Sequence, residues 1–180
     1  MDFGDGVTDC AIIRDGKVLL SMAERVGCGD LRRTVLNFYK ASTGIDISEE
    51  EAERVLREVG LSSSGEVFCR GSVDGKAIEC PLSVETLNAE LQPVLERMLA
   101  PINKLLSEIP ASVGAEVIED GIFLTGGGAL LSGMASAVVR ESGIDARIVA
   151  DPLGAVIRGA STMLPFAATL NLWKVWGRDR

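Results

Sequence analysis

Gly121-Ile122-Phe123-Leu124-Thr125-Gly126-Gly127-Gly128-Ala129-Leu130-Leu131-Ser132-Gly133 is the most informative stretch of the chain. Gly121 to Leu124 reads as a short buried strand, and a helical pattern runs from Leu130 to Glu141. A strand feeding a helix through three glycines is an α/β unit. Ala146 to Val149 reads as another strand, and Asp151-Pro152 starts a terminal helix with proline in its first turn. The glycines have two readings. They expose the N-terminal N–H groups of a helix to a ligand, or they make a tight connection into a closely packed helix. They match neither G-x-x-x-x-G-K-[ST] nor G-x-G-x-x-G.

A second glycine loop opens the chain as Asp2-Phe3-Gly4-Asp5-Gly6. It precedes a hairpin signal, in which Val7 to Ile13 and Lys17 to Met22 flank Asp15-Gly16. Glycine lets backbone N–H groups approach an anion. Carboxylates beside a phosphate make sense with a divalent cation between them, because Mg²⁺ takes carboxylates mostly through retained waters. A plain hairpin turn is the competing reading.

Between the two loops the pattern is mixed. Leu31, Val35, Phe38 and Tyr39 mark a helix stopped by Gly44. Ser48 with Glu51 predicts a capping box for a helix ending near Gly60. Ser62-Ser63-Ser64-Gly65 is a loop. Glu66 to Arg70 and Lys76 to Cys80 read as a hairpin around Asp74-Gly75. Ser83 starts a long helical stretch to about Glu108, with Leu87, Leu91, Val94, Leu95, Met98, Leu99, Ile102 and Leu105 on its apolar face. Pro93 and Pro101 predict a kink or break in it. A short helix follows around Ser112 to Ile118.

Composition excludes several classes. The 180 residues are 47% hydrophobic and 24% charged, enough for a packed core, and the net charge is −8. An acidic chain is not drawn to phosphate backbones, so nucleic acid is not an expected partner. There is no histidine, which removes Ser-His-Asp and Cys-His catalysis and most zinc sites. Cys10, Cys28, Cys69 and Cys80 form no C-x-x-C pair and read as small hydrophobes in a reducing compartment. No targeting segment is visible, and no run reaches the ~18 apolar residues of a membrane span. The greasiest segment, Ala155 to Trp176, reads as a helix facing a core or partner, with membrane contact as an alternative; the role of Trp173 and Trp176 is open.

The two glycine loops, in this order and about 120 residues apart, resemble those of the actin-like ATPase superfamily. Asp2-x-Gly4-Asp5-Gly6-Val7-Thr8 is similar to the second phosphate loop in the form actin carries; bacterial MreB more often has Gly where Asp5 stands and Thr where Val7 stands. Asp9 is acidic as in bacterial members, and also reads as a turn-capping carboxylate. Gly121 to Gly133 resembles the MreB adenosine loop nearly residue for residue. Asp151-Pro152-Leu153 with Val156 and Arg158-Gly159, Arg25-Val26-Gly27-x-Gly29-Asp30, and Ala52-Glu53-Arg54-Val55 leading to Glu58-Val59-Gly60 also match. The resemblance covers nearly the whole chain.

The resemblance implies an α/β, ribonuclease H-like domain with a smaller inserted α+β subdomain. The larger part would combine residues 1–28 with 88–180, and the insert would be 29–87. The chain looks like the second domain only, so a first domain is expected in cis or in trans. ATP or ADP with Mg²⁺ is the implied cofactor. Asp2 would hold Mg²⁺ through water. Gly4, Gly6, Val7 and Thr8 would contact phosphate, Thr8 through its hydroxyl or backbone, and Asp5 would sit near the ribose. Gly126, Gly127 and Gly128 would pack against adenosine, with Glu53 and Arg54 on the adenine side or on a merely exposed helix face. Leu56 replaces a basic residue of MreB, with Arg57 next to it. No catalytic residue is named, and the half chain alone is expected to be inactive as an ATPase. Further implications are a cytoplasmic cell-shape filament assembled head to tail and membrane-associated cell-wall synthesis partners. The alternative is a non-enzymatic scaffold.

Overall fold

The computed structural model describes residues 1–61, 64–73 and 76–169. The second hairpin's turn at Asp74-Gly75, Ser62-Ser63, and the Trp173/Trp176 segment lie outside the described residues. Three antiparallel strands open the chain: β1 (Asp2–Phe3), β2 (Thr8–Arg14) and β3 (Lys17–Glu24). Asp15 and Gly16, with φ of 52° and 72°, form the tight turn that Asp-Gly announces. Asp2 and Phe3, expected in the first loop, are ladder residues; only Gly4 to Val7 turn.

The chain next forms α1 (Cys28–Thr43), α2 (Glu49–Val59) and a hairpin of β4 (Glu66–Val73) and β5 (Lys76–Ser83). Helix α1 buries Leu31, Val35 and Tyr39 and ends at Gly44 in the left-handed region, as its spacing predicts. At α2 half of the capping box forms. Ser48 Oγ accepts the Glu51 N–H, but the Glu51 carboxylate turns to Arg54 and to the Arg70 N–H instead.

Helix α3 (Val84–Glu108) runs uninterrupted through both prolines, so the expected break does not occur. Pro93 is exposed, which leaves the carbonyl it cannot serve near water. The buried row Leu87, Leu91, Leu95, Met98, Ile102 and Leu105 holds the helix against β2, β3, α1 and α5. Helix α4 (Ala111–Asp120) leads to β6 (Ile122–Leu124), a 3-10 turn over Gly127–Leu130, α5 (Met134–Ser142), β7 (Ala146–Ile148) and α6 (Ala155–Thr169). Strand β6 is not fully buried, because Phe123 is exposed with Arg147 stacked 4.8 Å from its ring centroid. The helix expected from Leu130 begins at Met134, because the 3-10 turn intervenes. Helix α6 begins at Ala155 rather than at Asp151-Pro152, because Asp151 Oδ1 accepts the Gly154 N–H and closes a turn first. Among the described residues no helix is long and apolar enough to cross a membrane.

One bridge joins the first and last groups of strands, and the β4–β5 hairpin forms a sheet of its own. Strands β6 and β7 pair in parallel, and the bridge between Asp2 and Thr125 joins β1 to the end of β6, also in parallel. Phe3 N donates to Thr125 O at 2.9 Å, and Thr125 N to Met1 O at 2.9 Å. The order is therefore β3-β2-β1-β6-β7, with three antiparallel strands followed by two parallel ones, which is the ribonuclease H-like arrangement. A contiguous apolar core runs from Phe3 through Val35, Val55, Leu91 and Leu99 to Val138.

Candidate functional site

The β1–β6 bridge brings the two glycine loops together across more than 120 residues. Gly126 (φ 81°) lies against the backbone of Phe3, where a Cβ would stand 2.4 Å from the Phe3 carbonyl oxygen. A Cβ on Gly128 would meet Cys28 Sγ at 2.6 Å and Phe3 Cβ at 2.7 Å. Both glycines are required by the chain's own packing. Gly127 is different, since a Cβ there would meet only the Leu153 Cδ2 at 3.5 Å, an ordinary contact. Gly6 would meet nothing within 4 Å. These two positions have room that the fold does not use.

Gly127 faces a cleft of about 610 Å³. Gly4, Asp5, Cys28 and Arg32 line one wall, and Glu53, Leu56 and Arg57 of α2 line another. Gly128, Leu131 and Leu153 complete it. Its volume suits a nucleotide-sized ligand.

The first loop is seated on the start of α1. Cys28 N donates to Gly4 O at 3.0 Å and Gly29 N to Asp5 O at 2.8 Å, so the helix's first donors hold the loop rather than a ligand. Gly4 N closes the turn onto Val7 O at 3.0 Å. Among the described residues no protein acceptor takes the N–H of Asp5, Gly6 or Val7, which leaves the tip of the loop with donors that an anion could use. Gly6 lines a neighbouring polar depression with Arg25 and Arg33. The Asp5–Arg32 pair borders both spaces; Arg32 Nη1 donates to Asp5 Oδ1 at 3.0 Å, and that bond raises the guanidinium pKa. Burial, reinforced by the Asp5 charge, pushes the Cys28 thiol up to about 11, so it is a neutral wall.

Thr8, Arg54 and Asp2 are among the expected site residues that do not line this cleft. Thr8 is fully buried, and its hydroxyl donates to Val26 O at 2.8 Å, so it secures the loop and is not turned to the cleft. Arg54 is not in the cleft. It pairs with Glu51 at 2.7 Å and with Glu58, and donates to Phe68 O on β4. One residue is 100° of helix, so Arg54 faces the hairpin while Glu53, Leu56 and Arg57 share the other face. Arg57, not Arg54, is the cation of that wall, and it pairs with Glu53 at the mouth. Asp2 lies beside the first loop but lines a separate depression with Asp9, its register partner, and Thr125. Its Oδ1 accepts the Thr125 hydroxyl at 2.6 Å. Two carboxylates on one sheet face, one tied by a single hydrogen bond, fit a Mg²⁺ ion that keeps most of its waters. Among the described residues no cluster of three acidic or cysteine side chains forms a full metal cage.

Arg32 falls in no site motif of the sequence, and Leu131 and Leu153, though inside quoted motifs, carried no expected site role. Arg32 sits one turn into α1 beneath the loop, a position detectable only from how the loop folds back onto that helix.

Known proteins are similar to this chain in sequence and in fold. The chain is 29% identical over 170 residues to the cell shape-determining protein MreB of Escherichia coli strain K12, covering 91% of this chain and 49% of that protein. It is 26% identical over 174 residues to the cell shape-determining protein Mbl of Bacillus subtilis strain 168, covering 91% and 51%. The crystal structure of MreB5 of Spiroplasma citri bound to ADP superposes with a TM-score of 0.79 at 25% identity, covering 90% of this chain and 51% of that one. The chain thus spans about half the length of the curated relatives it matches. The MreB/Mbl protein family model matches residues 1–171, and with the sheet order and joined loops this places the chain in the MreB/Mbl family, on an actin-like fold.

Proposed function

We propose that this chain is the nucleotide-binding half of an MreB-type filament subunit, acting in a cell-shape cytoskeleton at the cytoplasmic side of the membrane. The observation that carries the reading is the cleft beside Gly127, where the joined loops leave space that the fold does not need. The relative whose structure holds ADP lends support. ATP or ADP would lie with its adenosine against Gly127 and Gly128 and between Leu153 and the Glu53–Arg57 wall. Its ribose would approach Asp5. Its phosphates would meet the N–H groups of Asp5, Gly6 and Val7. Asp2, with Asp9 beside it, would hold Mg²⁺ through water, and the ion would neutralise phosphate charge.

The division into residues 1–28 with 88–180, and 29–87, is part of this proposal, the two parts sharing one core across α1, α2 and α3. A first domain, in cis or in trans, would face the exposed phosphate side, and head-to-tail subunits and wall-synthesis proteins would be the assembly partners. Hydrolysis would be in-line attack of water on the γ-phosphate in the completed subunit; the 180-residue chain alone would turn ATP over negligibly.

Calorimetric titration of MgATP into the chain tests the reading. Saturable binding that Gly127→Val weakens at least tenfold supports it. No binding at millimolar nucleotide, with the fold intact, overturns it for this chain and favours a scaffold.

A further inference from the structure

Cys69 on β4 and Cys80 on β5 are register partners in the second hairpin. Directly opposed residues of an antiparallel pair share a face, with Cα atoms about 4.5–5.5 Å apart. Disulfides span about 4.4–6.8 Å between Cα atoms. Both side chains are on the inner face, Cys69 buried and Cys80 half-buried, next to the buried pair Val67 and Leu82. Both are free thiols. Cys10 and Cys28, on β2 and at the start of α1, oppose no cysteine.

The flanking residues tie this point to the cleft. Arg54 of α2 donates to Phe68 O, and the Arg70 N–H donates to Glu51 Oε1 at 2.7 Å. The Tyr39 hydroxyl of α1 donates to Cys69 O at 3.2 Å. Residues 68–70 are thus gripped from both helices, and α2 is the helix that carries Glu53 and Arg57 into the cleft wall.

We propose that Cys69 and Cys80 are a dithiol that closes to a cross-strand disulfide by exchange with a small-molecule disulfide, and that closure shifts the α2 wall of the cleft. Cys80, the more accessible, attacks one sulfur of oxidised glutathione as its thiolate. A Cys80–glutathione mixed disulfide forms, and one glutathione leaves. The Cys69 thiolate then attacks the Cys80 sulfur and expels the second. Two protein thiols are oxidised, one glutathione disulfide is reduced to two thiols, and the two protons pass to the leaving thiolates. Burial pushes the Cys69 thiol up to about 11, so the second step quickens about tenfold per pH unit through the neutral range.

The experiment is exposure of the native, reduced chain to oxidised glutathione, followed by alkylation and peptide mapping without reductant. The expected product is a Cys69–Cys80 linkage, lighter by the two thiol hydrogens, with Cys10 and Cys28 still alkylated. Cys69→Ser should stop the reaction at the Cys80 mixed disulfide, and Cys80→Ser should leave Cys69 reduced. A wild-type chain that halts at the mixed disulfide, or links only after denaturation, overturns the proposal. The effect on the cleft rests on the nucleotide reading. Oxidation should change MgATP affinity by about fivefold and reductant should restore it. Unchanged affinity in a fully linked chain refutes the coupling, whereas no binding in either redox state counts against the nucleotide reading and leaves the linkage result standing.

Discussion

The hydroxyl of Thr125 donates to Oδ1 of Asp2 at 2.6 Å, across 123 positions of sequence. It lies where the end of β6 meets β1, so it fastens the two glycine loops to each other. A hydrogen bond to a carboxylate contributes about 1.5–3 kcal/mol, and this one is only partly shielded. Thr125→Val should therefore lower unfolding free energy by about 1–2 kcal/mol in urea titration. Thr125→Ser should retain most of the stability, because it keeps the donor. A loss in Thr125→Ser with none in Thr125→Val would mean that the methyl group's packing matters, not the bond.

The adenosine-loop glycines separate into two kinds, and substitution should show it. A Cβ at Gly128 collides with Cys28 and Phe3, so Gly128→Ala should cost about 1–3 kcal/mol of stability. At Gly127 a Cβ meets only the end of a leucine side chain. Gly127→Ala should change the thermal midpoint little, while Gly127→Val weakens MgATP binding. A large stability loss at Gly127 would assign that glycine to packing.

Much of the fold was legible because its punctuation is local. Asp15-Gly16, Gly44 and Ser48 mark turns and caps through backbone chemistry that one or two residues decide. The course of α3 was less so: proline predicts a break, yet a row of buried leucines holds the helix across both prolines. The site was legible to the extent that its glycines are contiguous. Arg54 was misplaced because a motif gives positions along the chain and not the face of the helix. That the Thr8 hydroxyl turns inward was not legible, because its partner, Val26 O, is set by the turn of the whole hairpin.

The two arginines of α2 should accordingly separate in mutation. Arg57 is exposed and pairs only with Glu53 among the contacts described, an arrangement that contributes about 0–1 kcal/mol. Arg57→Ala should leave the denaturation midpoint nearly unchanged and lower nucleotide affinity. Arg54→Ala should do the opposite, because it releases Glu51, Glu58 and the β4 carbonyl together. Loss of affinity in Arg54→Ala at constant stability would return Arg54 to the adenine side.

Acid should find the same cluster. The Glu51 carboxylate is held below the usual range, first by its hydrogen bonds from Arg54 and, after the opposing cost of burial, by the Arg70 N–H. A carboxyl whose pKa is lowered on folding binds fewer protons in the native state than in the unfolded chain. Its contribution is complete above the unfolded value, about 4.3, and is lost as pH falls through the lower native value. Glu51→Gln keeps an acceptor for the Arg70 N–H but loses the charge. It should be less stable at neutral pH by about 2 kcal/mol, with the gap to wild type narrowing below about pH 4. Urea midpoints measured from pH 7 to pH 3 would show the two curves converging at the acid end; parallel curves would mean that the Glu51 charge contributes nothing to the folded state.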